Sequence, residues 1–277
     1  MKKIIYSIFI ENNQKNIDEK HINSFLQFQK NYHKIYNRQK EYADICGAEY
    51  RVFGNDERWS NFKEKYQSYE FDVINLYKLH LFEELSKDFD SVLYFDFDVL
   101  PNTDVSFFDN FDLNKICVRS IDSTLKDTWS HKNKSYMWKV KTLDRYSEHI
   151  KCLCKKAMLL SENVVSNNFD IVNTAILGGN KDVIGKVKFT DKLDNMIKIL
   201  ETVKEEMFYG KDITDMFFPN NEVFFHYLLE RYDIEYFNLP EEWHKIYYTK
   251  TEINEDVKKY KMIHLINKRF DECLSYL

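Results

Sequence analysis

Apolar segments of strand length alternate with amphipathic segments of helix length through the first hundred residues, and that order leaves few folds open. Lys3–Ile10 is a buried-strand run. Glu19–Cys46 carries helical periodicity with a break expected near Tyr32, and Gly47 stops it. Glu49–Phe53 reads as a second strand. Asp72–Ser86 reads as a helix with Val73, Leu76, Leu79 and Phe82 on one face, and Ser91–Phe95 as a third strand. Strand–helix–strand order joins parallel strands, so the expectation is an α/β fold: a mostly parallel central sheet flanked by helices. Further helices are expected over Leu143–Leu160, Lys181–Lys204 and Glu222–Arg231, making the C-terminal part helical. Further strands are expected at Val172–Leu177, Ile234–Phe237 and Lys261–Leu265. In such sheets ligands bind at the carboxyl ends of strands, which is where chemistry is sought.

Composition narrows the function classes. With 277 residues and no Gly/Ser/Pro-rich linker, one domain over 1–277 is expected. A net charge of −5 and a pI of 6.0 lack the basic field that nucleic acid selects. No apolar run approaches the ~20 residues of a membrane helix. The start, MKKIIYSIFIENN, imitates a signal peptide, but its apolar run stops at Glu11 without a small-residue cleavage site, so a cytoplasmic protein is expected. Five cysteines without metal-site spacing read as buried hydrophobes, and the sequon Asn133-Lys134-Ser135 as chance. Oligomeric state stays open.

Four segments carry chemistry. In SVLYFDFDVLP an apolar strand ends in Asp96-Phe97-Asp98 before Pro101. In extended backbone, residues two apart share a face, so both carboxylates project into the cleft while Phe97 stays in the core. Two adjacent acids raise each other's pKa unless a cation compensates them, and open oxygen ligands suit Mg²⁺ or Mn²⁺ on a diphosphate. Asp88-Phe89-Asp90 has the same spacing but precedes the strand, where it reads as a solvated turn. In Val172–Asn180, Asn173 offers donor and acceptor to sugar hydroxyls, and Gly178-Gly179 either form a close-approach turn or simply turn the chain. Pro219 precedes Asn220, Asn221 and Glu222 at a helix start. Glu222 is either a cap-region charge or a site carboxylate, and His226 four residues on could share a ligand with it. Near the C-terminus His264 could complete a metal site, and Lys268 suits a phosphate.

In order, these segments resemble the metal-dependent glycosyltransferases of the GT-A (Rossmann-like) fold, and most of all the retaining glycogenin-like branch. Lys78-Leu79-His80 stands before the strand and the DxD motif as in that branch. Asn173-Thr174-Ala175-Ile176 is similar to its Asn-Ser-Gly-Val segment, Asn221-Glu222 to its Asp-Gln helix start, and His264-Leu265 with Lys268 to its C-terminal His and Lys. Ala175–Gly179 and Asn221-Glu222 are also similar to segments of the histo-blood-group transferases. The resemblance implies Asp98 as the most direct metal ligand, Asp96 on metal or ribose, and His264 as the third protein ligand. It also implies Lys268 on the diphosphate, Lys78 near the nucleotide or donor sugar, and Asn173, Gly178 and Gly179 along the sugar sites. The end of the first strand, with Ile10 and with Phe9 able to stack, would meet the base. Asn221 stands where the branch has Asp and so cannot act as a carboxylate, and the branch's Gly and Pro-Trp beside the C-terminal His and Lys are missing here.

The implied activity is sugar transfer from a nucleotide-activated donor, a UDP- or GDP-sugar, to a hydroxyl of a glycan or other acceptor, with Mn²⁺ or Mg²⁺. Glu222 is the candidate to stabilise an oxocarbenium-like state, to orient the acceptor, or to act as base, and Asn221 lies beside it. Retention is favoured by the likeness alone. A nucleotidyltransferase is the enzyme alternative, but it typically has a Gly-rich segment where this chain has IENNQKN. A non-catalytic sugar-nucleotide-binding relative is the other.

Overall fold

The first strand, KIIYSI, is buried along its length, which only an interior place in a sheet allows. In the computed structural model, residues 1–11, 19–66, 73–122, 146–248 and 252–277 are described. The Asn133 sequon, most of the segment after the first strand and the starts of the helices expected from Asp72 and Leu143 lie outside them. The order is β1 (Lys3–Ile8), α1 (Glu19–Ile45), β2 (Glu49–Phe53), α2 (Glu57–Tyr66), α3 (Val73–Leu85), β3 (Ser91–Phe95), β4 (Val99–Pro101), α4 (Phe107–Asn110) and β5 (Ile116–Asp122). Then follow α5 (Tyr146–Ser161), β6 (Asp170–Asn180), α6 (Lys181–Val187), α7 (Phe189–Glu206), α8 (Lys211–Thr214), α9 (Asn221–Arg231), β7 (Tyr236–Asn238), β8 (Lys245–Tyr247), β9 (Met262–Leu265) and α10 (Phe270–Tyr276).

Six strands form the central sheet in the order β2-β1-β3-β6-β5-β7. All run one way except β6, which is antiparallel to both β3 and β5, so the sheet is mostly parallel, as the alternating pattern predicts. Side chains alternate across it. Ile4, Tyr6, Val92 and Tyr94 pack under α3, and Ile5, Leu93 and Phe95 pack on the opposite face. A second sheet, β4-β9-β8, joins β4, which directly follows β3, to two strands near the C-terminus. Among the described residues no helix is long and apolar enough to cross a membrane.

Several boundaries differ from expectation for definable reasons. Helix α1 runs unbroken through Tyr32, because Phe28, Tyr32 and Tyr36 fall on one face and pack together with Phe97. It does end at Gly47, which has φ +60°, with Gly47 and Ala48 N–H donating to Asp44 and Ala43 carbonyls. The helix expected over Lys181–Lys204 is two helices, because Lys188 sits at φ 50° between α6 and α7.

The largest difference concerns Gly178-Gly179. They form no turn: β6 runs straight through them, and they pair with Leu93 and Val92, towards the amino end of β3. Packing demands glycine there. A Cβ at Gly178 would overlap the Phe107 ring, and one at Gly179 would come within 3.1 Å of Val183 and Ile184. They let helices approach the sheet, away from the carboxyl edge.

Candidate functional site

Strand β3 ends at Phe95, and the Asp96 N–H still reaches across to the Ala175 carbonyl at 2.8 Å. The chain then turns, with Val99 N–H donating to the Asp96 carbonyl at 2.9 Å, and enters β4. The extended backbone expected through Asp96-Phe97-Asp98 is therefore a turn. The consequence argued from extension survives: Phe97 is buried against Phe9, Phe28 and Tyr32, while the acids gather on the other side. Gln39 of α1, fully buried, fixes this turn. Its amide donates to the Val99 and Asp96 carbonyls at 2.7 and 3.2 Å, and its oxygen accepts from Ser7 and Tyr50.

Antiparallel pairing of β4 with β9 sets His264 opposite Val99. Ligand atoms of Asp96, Asp98 and His264 thereby lie within 4.8 Å of one another. Two carboxylate oxygens and an imidazole nitrogen are a donor set that could hold a divalent metal ion. His264 Nδ1 lies 3.3 Å from Nε2 of His244, which is fully buried. Burial, and then the neighbouring His264, pushes the His244 pKa well below the ordinary histidine value, so His244 stays neutral. The other ring nitrogen of His264, Nε2, faces Asp98, 3.6 Å from its Oδ1.

Each acid also has its own cation. Asp96 accepts from the Tyr94 hydroxyl at 2.5 Å and from Lys78 Nζ at 3.1 Å. Lys78, expected near the nucleotide or donor sugar, is buried and spends its ammonium on Asp96. Asp98 is buried and ion-paired with Lys268. Burial alone would raise its pKa, but the charges of Lys268 and His264 and their hydrogen bonds hold it well below the usual carboxylate range. Asp90, from the look-alike pair, sits at the other end of β3 and accepts from Lys2 N–H and Lys181 at the surface.

A cavity of about 260 Å³ opens over this cluster, lined by Phe9, Ile10, Phe28, Asp96, Asp98 and Lys268 among others. A second cavity of about 830 Å³, with Phe9, Tyr32, Val52 and Gly54 on its wall, lies along the ends of β1 and β2. Phe9 thus separates the two, its ring already packed at 5.0 Å from Phe97. A cavity of about 610 Å³ lies at the opposite edge, around Asp90, Asn114 and Asn180.

No protein-family model matches the chain, and no curated protein matches it. Solved structures of similar shape do. A glycosyltransferase involved in the glycosylation of the major capsid of PBCV-1 aligns over 99% of this chain and 100% of its own, at 13% identity and a TM-score of 0.46. Mouse xyloside xylosyltransferase 1, in its apo form, aligns over 96% and 98%, at 11% identity and a TM-score of 0.43. The galactosyltransferase LgtC, solved with donor and acceptor sugar analogs, aligns over 99% and 96%, at 11% identity and a TM-score of 0.42. At TM-scores of 0.46 or less these likenesses decide neither family nor activity, which the site's own geometry must carry.

The remaining candidates divide. The beginning of β6 passes the end of β3, so Asn173 and Thr174 sit on the site's edge; Asn173 Oδ1 accepts from Ala175 N–H at 3.1 Å. Asn221, buried, hydrogen-bonds Thr174 and so belongs to the same edge. Glu222 follows it at the start of α9, capped by Asn220, and pairs with Lys151 of α5 at 2.5 Å. His226, which could share a ligand with Glu222, contacts a different carboxylate. It is buried one turn further along, 3.2 Å from Glu230. Gly178 and Gly179 are not brought to the cluster. Tyr94, Gln39 and His244 went unnoticed in the sequence, although Tyr94 stands two residues before Asp96 on the same strand face, a signal that the period of two contains.

Proposed function

We propose that the chain is a single-domain, divalent-metal-dependent glycosyltransferase of the GT-A type, moving a sugar from a UDP- or GDP-sugar to an acceptor hydroxyl. The observation that carries this is the convergence of Asp96, Asp98 and His264 within 4.8 Å at the carboxyl end of β3, beside Lys268 and a cavity leading to Phe9 and Ile10. It joins residues almost 170 positions apart that the ordered motifs had already singled out. The nucleotide-binding part lies in about 1–110 and the acceptor-binding part in about 111–277. Retention, favoured by the motif likeness, and a cytoplasmic location are part of this proposal.

Asp98 and His264 hold the metal, with Asp96 on metal or ribose, its charge kept in place by Lys78 and Tyr94. When bound, Mn²⁺ or Mg²⁺ supplies Lewis-acid stabilisation of a diphosphate leaving group. Lys268, at the cavity wall, adds a positive charge where that group departs. Phe9 and Ile10 form the wall towards the base. Asn173 faces the donor sugar or acceptor with its amide, and Asn221 steadies that edge through Thr174. Glu222, oriented by Lys151, either stabilises the oxocarbenium-like state or directs the acceptor hydroxyl.

A thermal-shift panel of nucleotide sugars with Mn²⁺ tests the reading. At a hundred times Kd a true donor adds about 2.7 kcal/mol to stability, a rise on the order of 5 °C in a chain of this size. No shift with any UDP- or GDP-sugar would contradict it.

A further inference from the structure

The two acids of the site are neutralised by lysines of different kinds. Lys78 has a side chain only 4% exposed, with its ammonium 5.3 Å over the Tyr94 ring, and it is absent from the cavity wall. The Tyr94 hydroxyl grips the same Asp96 oxygen. Lys268 is 21% exposed, lines the 260 Å³ cavity beside Asp98, and stands 5.0 Å over the Phe28 ring. It follows β9 at φ 57°, a left-handed position that throws its side chain back towards Asp98. Asp96 is thus compensated by a fixed cation and Asp98 by one that can swing into open space.

We propose that Lys268 is a built-in counter-ion competing with a divalent cation for Asp98, and that a diphosphate ends the competition by drawing the Lys268 ammonium into the cavity. This rests on reading the site as one for a metal and a nucleotide-sugar diphosphate. A cation approaching Asp98 meets an ammonium already bonded to one carboxylate oxygen, and the two positive charges repel. A diphosphate in the cavity offers that ammonium a stronger anionic partner, so each ligand improves the site for the other. Metal alone and diphosphate alone bind weakly, and the pair binds well. The arrangement keeps the two carboxylates, which would otherwise repel, balanced by two ammoniums.

Two reciprocal titrations test this, each with one ligand. MnCl₂ added to the full chain, with free Mn²⁺ followed by electron paramagnetic resonance, is expected to bind Lys268→Met on the order of tenfold more tightly than wild type. Inorganic pyrophosphate added in EDTA is expected to bind Asp98→Asn more tightly than wild type, and the double variant is expected to lose that gain. Unchanged or weaker Mn²⁺ binding by Lys268→Met overturns the competition. Equal pyrophosphate binding by Asp98→Asn and wild type overturns the release of Lys268. If pyrophosphate binds none of the three, the nucleotide-sugar reading fails, and the Mn²⁺ titration still decides whether Lys268 competes for Asp98.

Discussion

Asp98→Asn is expected to lower transferase kcat/KM by about 10³-fold or more, the several kcal/mol a bound metal supplies to a departing diphosphate. The substitution preserves volume and removes one charge. Asp98 is buried, and Lys268 and His264 keep it ionised far below neutral pH, so the charge is present at every working pH. Its loss leaves Lys268 unpaired at a partly open cavity wall, which the fold tolerates. The neighbouring Asp96→Asn acts differently: it strands the buried Lys78 and Tyr94, so part of its effect is on stability. Urea midpoints of both variants beside their kinetics separate the two roles. A fully active Asp98→Asn would remove the acid pair from the chemistry.

The largest stability effect is expected from Glu230→Gln, about 3–5 kcal/mol. Lys155 is completely buried between α5 and α9, and its ammonium reaches Glu230 at 2.5 Å and the Asp170 carbonyl at 3.0 Å. Removing the carboxylate leaves a buried ammonium with carbonyls alone. The same network fixes the first residue of β6, the strand that carries Asn173 and Thr174 along the site. It also predicts a pH window. Burial would raise the Glu230 pKa, but His226 and Lys155 pull it from 4.5 down to about 2. A carboxyl with a lowered folded pKa stabilises above its unfolded value and loses that contribution as pH falls through the folded one. Wild-type stability should therefore fall between pH 4.5 and about 2, and Glu230→Gln should lack this part of the slope. Parallel curves, or a loss under about 1 kcal/mol at pH 7, would show that Lys155 finds its compensation elsewhere.

Periodicity was strong where one element decides its own conformation. Ser91–Phe95 is a strand over those five residues because an unbroken apolar run ends at two acids, and Glu49–Phe53 follows a glycine stop. It was silent where the partner lies far along the chain. β4 and β8 have three residues each, too few to show a period, and they exist because β9 pairs with both. β5 carries a register shift between Val118 and Arg119, which breaks its alternation. Gly178-Gly179 resembled a turn because glycine allows one; the Phe107 ring over Gly178, and Val183 and Ile184 against Gly179, explain them instead. Of the site, the acids, His264 and Lys268 were legible as chemistry-bearing residue types at strand ends. Gln39 and His244 were not, since an amide in a helix and a histidine after a tryptophan acquire their roles only through contacts with Val99 and His264.

The most direct measurement of the central claim is nucleoside diphosphate release from a panel of UDP- and GDP-sugars, with Mn²⁺ and with EDTA. The expected result is release from at least one donor with Mn²⁺, its abolition by EDTA, and its absence in Asp98→Asn under both conditions. Release that persists undiminished in EDTA, or no release from any donor with Mn²⁺, would contradict a metal-dependent sugar transferase built on Asp96, Asp98 and His264.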